Sequence, residues 1–312
     1  MRPVLPLPGR FGLVAALMPA LALAACGADE PVTDLDIVDL TEIGLAGPSA
    51  VVVDTVADVY LVANINGTRG ERDSNGFITQ ISPEGEVLAL NWSDPGPASP
   101  DLQFHSPTGL AIFGDSLLVA DLNCVRILSR ANGQALAREC VTNADYLADV
   151  DVGPDGSIYV VDSGLRRASN GGMESTGTDA VYRLVLGSGG RSTTLARGDE
   201  LGNPSAVAVG TRGIFVTTSG SGEIFRVVPG EARTPVYPAT GRHLAGIAFL
   251  PDGGFAFSSW SDETVFRVTP DGRVERLLEN VPTPGGLAYD PRRNRLIVPL
   301  TDEDRLIFVE LP

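Results

Sequence analysis

Residues 246–272 open on Gly246-Ile247-Ala248-Phe249, turn at Pro251-Asp252-Gly253, run on through Val265-Phe266-Arg267-Val268 and turn again at Pro270-Asp271-Gly272. In such turns proline presets φ, aspartate bonds the backbone two residues on, and glycine accepts a positive φ. The apolar runs between them therefore read as short strands folded back on one another. The opening segment has five counterparts: Ala50-Val51-Val52-Val53, Gly109-Leu110-Ala111-Ile112, Asp149-Val150-Asp151-Val152, Ala206-Val207-Ala208-Val209 and Gly286-Leu287-Ala288-Tyr289. In chain order the six starts lie 59, 40, 57, 40 and 40 residues apart. Four short antiparallel strands at a period near 40 residues are the mark of a propeller blade. The expected fold is all-β, a six-bladed β-propeller of four-stranded antiparallel blades over residues 34–312.

The two long spacings carry insertions, at 65–76 with 94–101 in the first repeat and at 164–178 in the third. Insertions on a rigid scaffold are common seats of function, although the Gly/Ser-rich 164–178 reads equally well as solvated slack. The last repeat stops after its third strand, residues 305–310, and so lacks an outer strand. The alternating Asp34-Leu35-Asp36-Ile37-Val38-Asp39-Leu40 is expected to dock there, closing the ring and removing an exposed edge.

The 312 residues are 43% hydrophobic and 20% charged, which supports a packed core and argues against a disordered chain. All 23 basic residues are Arg, so a lysine Schiff base and a phosphate-loop lysine are excluded. With 39 acids the formal charge is −16, a field that repels nucleic-acid backbones, and no nucleic-acid partner is expected. No Gly-x-Ser-x-Gly elbow, His-Glu-x-x-His, Cys-x-x-Cys or dinucleotide fingerprint occurs.

Residues 1–25 carry Arg2, Arg10 and an apolar run from Phe11, leading into Leu23-Ala24-Ala25-Cys26-Gly27. The run is short for a bilayer span and has the shape of an export signal. Small residues directly before a cysteine resemble the bacterial lipobox. That resemblance implies a signal peptide over 1–25, lipidation at Cys26 and a lipid-anchored tether over 26–33. Gly27 after the cysteine implies, by the same resemblance, an outer-membrane address, so the expected location is the cell envelope and the membrane is a partner through the anchor.

An oxidising envelope permits disulfides, and only Cys124 and Cys140 remain. Between them Asn132-Gly133 marks a hairpin turn, and pairing about Asn132 places positions summing to 264 opposite each other. A cross-strand disulfide is expected, with two buried free thiols as the competing reading.

In a propeller the start of each first strand and the end of each second strand emerge on one face. The mouth of the central channel is thus expected to collect Asn64, His105, Asp121, Asp149, Asp162, His243 and Trp260, a polar, acidic surface with both imidazoles of the chain. A His/carboxylate metal or general-base role is conceivable there, against ordinary polar loop histidines. Asp121 and Asp162 read more readily as caps that bond the backbone of the following loop than as site residues.

Leu61-Val62-Ala63-Asn64-Ile65-Asn66-Gly67, Asn75-Gly76-Phe77-Ile78, Ser82-Pro83-Glu84-Gly85 and Leu118-Val119-Ala120-Asp121 resemble bacterial relatives of the gluconolactonase, regucalcin and luciferin-regenerating-enzyme family, from about Leu45 to Glu310. The same blades are similar to NHL-type repeats. The resemblance implies a divalent cation, calcium or zinc, in the channel mouth and hydrolysis of sugar lactones. The positions matching the family's ligands are occupied here by Ser49, Ala148, Ser205 and Ala245, two hydroxyls and two methyls that cannot supply the oxygens a hard cation needs. A one-residue slip would bring Asp149 into that ring. The leading expectation is a non-catalytic module, without a cofactor, that binds a small molecule or an envelope protein. The alternative is a metal-dependent lactone or ester hydrolase using ligands such as Asp149, Asp162 and His243.

Overall fold

The computed structural model describes residues 30–31, 35–93, 103–238 and 240–311. The repeat produces six sheets of four antiparallel strands. Blade 1 runs through Pro48–Asp54, Val59–Asn64, Phe77–Ile81 and Val87–Ser93 from the innermost strand outward, and blade 2 through Pro107–Phe113, Ser116–Asp121, Cys124–Ser129 and Ala135–Cys140. Blade 3 comprises Leu147–Val152, Ile158–Asp162, Ala180–Leu184 and Ser192–Arg197, and blade 4 comprises Pro204–Gly210, Gly213–Thr218, Ile224–Val227 and Thr234–Tyr237. Leu244–Phe249, Phe255–Ser259, Thr264–Val268 and Val274–Leu278 form blade 5. Blade 6 takes its inner three strands from Ala288–Asp290, Arg295–Leu300 and Arg305–Glu310.

Its fourth strand is Ile37–Leu40, paired antiparallel with Arg305–Glu310 through Ile37 opposite Val309 and Leu40 opposite Leu306. The ring therefore closes as expected, with a shorter strand than the alternation of 34–40 suggested. One pairing was not foreseen: Glu30–Pro31, inside the stretch read as tether, lies parallel to the outer edge of blade 5 opposite Glu275 and Arg276. The signal peptide 1–25, Cys26 and the insertion 94–101 lie outside the described residues, as does the rest of 26–33.

The apolar core is divided among the seams between blades. In the second strand of blade 2, Leu117 and Val119 pack towards blade 1 with Leu61 and Ile78, while Leu118 and Ala120 pack towards blade 3 with Val160 and Tyr182. Successive side chains point to opposite faces of a strand, and both faces are covered. That is why these strands read as unbroken apolar runs rather than alternations. The seam that closes the ring, blade 6 against blade 1, holds Tyr60, Val62, Ile297 and Phe308, with the Tyr60 and Phe308 rings edge to face at 5.2 Å. The buried Tyr60 hydroxyl donates to Asp290 at 2.6 Å across the same seam.

Near the axis the blades are joined by polar side-chain bonds from the first two strands of one blade to the entry of the next. Ser49 Oγ donates to the Pro107 carbonyl at 2.6 Å, Thr108 Oγ1 to Leu147 at 2.9 Å and Ser258 Oγ to Gly285 at 2.9 Å. From blade 3 to blade 4 carboxylates replace hydroxyls. The N–H groups of Val207 and Val209 donate to Asp149 and Asp151 at 2.9 and 2.7 Å. Gly109 has no room for a side chain, because a Cβ there would lie 2.4 Å from Asp149 Oδ1.

Cys124 and Cys140 face each other in the register and are joined by a disulfide. The sum rule holds from Ala137 to Cys140 and is broken by a bulge before it, where Ala135 opposes Leu128.

Candidate functional site

Both insertions lie on the face reached by the ends of the second strands. Insertion 65–76 leaves blade 1 at Asn64 and is fixed to the entry of blade 2: Gly70 N–H donates to Ser106 Oγ at 3.0 Å, Ser74 N–H to His105 Nδ1 at 3.2 Å and Gly76 N–H to the Phe104 carbonyl at 3.2 Å. From this platform the Arg69 guanidinium lies over the Trp260 indole of blade 5, 4.7 Å from the ring centroid. Arg69 also acts electrostatically on Tyr146 at the entry to blade 3. Blades 1 and 5 are not neighbours in a six-membered ring, so Arg69 links loops from separate blades on this face.

Insertion 164–178 is a structured hairpin, not slack, with Leu165–Arg167 paired to Met173–Ser175. Met173 and Arg167 pack against Gly70, whose φ of +77° suits the close approach. Between the two insertions a cleft of about 540 Å³ opens to one side of the axis. It is lined by Gly70, Glu71 and Arg72 from the first insertion, by Leu122 from the turn after the second strand of blade 2, by Asp145 and Tyr146 from the entry to blade 3, and by Arg166, Arg167, Ala168, Ser169 and Gly171 from the hairpin. This size suits a small organic ligand.

The residues expected at the mouth divide into two groups. Asn64, Asp121 and Asp162, all fully buried, end the second strands of blades 1 to 3 and hold the loops that enter the innermost strands. Ala46 N–H donates to Asn64 Oδ1 at 3.0 Å, Ser106 N–H to Asp121 at 2.7 Å and Tyr146 N–H to Asp162 at 3.1 Å. Arg126 Nε adds an ion pair to Asp121 at 2.8 Å. Burial raises the Asp162 pKa from its ordinary value, against the N–H bonds it accepts.

The second group is His105, His243, Trp260 and Asp149. His243 stacks on Trp260 with ring centroids 4.7 Å apart, and burial, helped by Arg69, lowers its pKa. The indole N–H donates to the Pro284 carbonyl at 3.0 Å. His105 is held on insertion 65–76, away from His243, with Nδ1 accepting the Ser74 N–H; burial lowers its pKa against the pull of Asp121. Asp149 and Asp151 sit lower, on the innermost strand. Burial pushes Asp149 well above the carboxylate range and Asp151 up to about 6, in both cases against two backbone N–H bonds.

The positions that match family metal ligands do not form a cation cage. Ser49 Oγ is committed to the Ala63 and Pro107 carbonyls, Ser205 Oγ lies 3.0 Å from Thr217 Oγ1, and Ala148 and Ala245 offer methyls. Asp149, the slipped candidate, has both oxygens engaged by the N–H groups of Val150 and Val207. Among the described residues no three His, Cys, Asp or Glu side chains converge to hold an ion.

Arg69, Arg72, Tyr146, Arg166 and Arg167 were not singled out from the sequence. A signal was present, since four of the 23 arginines of a lysine-free, acidic chain fall in the insertions 65–76 and 164–178.

No protein-family model matches the chain, and no curated protein matches its sequence. Solved structures share its fold. A gluconolactonase from Xanthomonas campestris aligns over 90% of this chain and 91% of its own, with 18% identity and a TM-score of 0.67. A catalytically inactive virginiamycin B lyase from Staphylococcus aureus with quinupristin aligns over 89% of this chain and 100% of its own, with 13% identity and a TM-score of 0.61. A putative oxidoreductase (glucose dehydrogenase) from Thermus thermophilus aligns over 88% and 100%, with 16% identity and a TM-score of 0.61. At such identities the likeness to these lactonase-type and lyase-type structures is one of propeller fold alone.

Proposed function

We propose that the chain is a non-catalytic binding propeller, lipid-tethered in the cell envelope, that takes a small molecule or an envelope protein in the cleft between its two insertions. The observation that carries this reading is the placement of Arg69. Lying over Trp260 and close to Tyr146, it links loops of blades 1, 3 and 5 beside a cleft of about 540 Å³ between the two insertions. The fate of Ser49, Ser205 and Asp149 supports it, because their polar atoms join blades or strands where a metal site would need free donors. Among the described residues no helix is long and apolar enough to cross a membrane, and the tether is assigned to Cys26 from the sequence alone.

A second reading, a metal-dependent lactone or ester hydrolase, draws on the shared fold with the gluconolactonase structure. Calcium or zinc would then require Asp149, Asp162 and His243 to leave their present partners. Metal analysis of dialysed protein, with lactone hydrolysis measured with and without chelator, separates the two readings. A tightly held stoichiometric ion with chelator-sensitive turnover overturns the binding reading; no turnover, with or without bound calcium, supports it. For the tether, palmitate labelling and membrane fractionation should both be lost in Cys26→Ser, and a soluble, unlabelled wild-type protein refutes it.

A further inference from the structure

Resting on the reading of the cleft as a binding site, we propose that its ligand is a small polyanion held through carboxylate or phosphate oxygens by Arg72, Arg166 and Arg167. Three of the eleven residues lining the cleft are Arg, although Arg makes up only 23 of the 312 residues. At that overall share fewer than one would be expected among eleven. The chain as a whole carries −16, so this concentration of guanidinium groups runs against its general field.

The guanidinium groups have donors to spare. Beyond its strand pairing with Met173, Arg167 makes no side-chain hydrogen bond or ion pair to any described residue, and it sits where the insertions meet, its Cβ packed near Gly70 and its Nη2 near Gly171. Arg72 uses one nitrogen on Asn123 Oδ1 at 3.2 Å. Arg166 bonds Glu174 through Nε at 2.8 Å in an exposed pair, 60% and 48% accessible, of the kind worth little in water and readily exchanged for a ligand. Each guanidinium presents a planar fork of donors that matches two oxygens of one carboxylate or phosphate. Because the three arrive from two insertions, a single oxyanion does not exploit them all. A cleft of about 540 Å³ has room for a molecule carrying several. Glu71 and Asp145 share the lining, so the site is not a featureless positive patch, and Asp145 offers an acceptor to a hydroxyl on the ligand.

Calorimetric titration of the full mature chain with citrate, with inorganic pyrophosphate and with neutral maltose tests the proposal. The two anions distinguish carboxylate from phosphate as the preferred oxygen source. The expected result is saturable binding of at least one anion, weakened by added salt and by about tenfold or more in Arg167→Ala and in Arg72→Ala. Arg191→Ala, an exposed arginine of blade 3 outside the cleft, should bind as wild type, and all variants should melt within a degree or two of it. Binding of neither anion, or anion binding equal in wild type and both cleft variants, overturns the proposal. Maltose binding that ignores the arginine substitutions overturns the anionic class and leaves the binding-module reading standing. Chelator-sensitive lactone turnover overturns that reading itself.

Discussion

Asp151 offers a test of how the channel wall is built. Its two oxygens accept the N–H groups of Val152 and Val209, each at 2.7 Å, so one carboxylate ties an inner strand to its neighbour. Burial outweighs those bonds and pushes its pKa up from 3.8 to about 6. A carboxyl that holds its proton more tightly folded than unfolded favours the folded chain below the unfolded value. That contribution disappears as pH rises through the folded value. The difference of roughly two pKa units corresponds to about 3 kcal/mol at most, at about 1.4 kcal/mol per unit. Urea unfolding of wild type and Asp151→Asn at intervals from pH 4 to pH 7.5, with the disulfide intact, reads this directly. The asparagine leaves one N–H without its acceptor, a roughly constant cost of about 1–3 kcal/mol at every pH. The informative quantity is therefore the slope: wild type should lose stability relative to the variant by up to about 3 kcal/mol between pH 4 and pH 7.5. Asp54, Asp252 and Asp290, whose pKa values are lowered, act below that window with the opposite sign and are common to both proteins. A flat difference curve, or one in which wild type gains on the variant with rising pH, would falsify the burial argument and show that the N–H bonds dominate.

Three other substitutions probe the fold. Tyr60→Phe removes the hydroxyl bonded to Asp290 in the closing seam and should cost about 1–2 kcal/mol in urea denaturation, Asp290 keeping Arg293 as partner; no change would mean the bond contributes nothing. Asp121→Ala leaves Arg126 without its 2.8 Å partner and the Ser106 N–H unbonded, so a loss of about 3–5 kcal/mol is expected by thermal melting, while near-native stability would return Asp121 to the list of site candidates. Reduction of Cys124–Cys140, separated by 16 residues, should lower stability by about 3 kcal/mol or less, since the hairpin turn already constrains the unfolded loop, and neither thiol should react with iodoacetamide before reduction.

The blades were legible because a period survives divergence. Strands such as Leu117–Ala120 must be apolar on both faces to fill two seams, and the turns between them need Pro, Asp and Gly for reasons of backbone angle. The disulfide followed from the same arithmetic, which holds at Cys124 and Cys140 and fails at the Ala135 bulge because a bulge adds a residue without a sequence mark. The closing strand was readable because an unfilled edge needs a partner. The cleft was not readable. Composition shows that a loop is long, but the direction in which it folds depends on contacts far away in sequence, as when Gly70 meets Ser106 and Met173. Arg69 reaching Trp260, 191 positions further along (260 − 69), is a product of ring closure and has no local signature.

The pairing of Ile37–Leu40 with Arg305–Glu310 also orders events in time. Blade 6 is assembled from both ends of the propeller, so a nascent chain can build blades 1 to 5 in sequence but cannot latch the circle until residues 305–310 have been synthesised. Until then the inner faces of the first and last modules stay wet, and Tyr60 has no Phe308 to meet. Cutting either half of the latch should unzip the same joint, and a permuted chain that begins between two other blades would move that late, vulnerable step to a new place on the circumference.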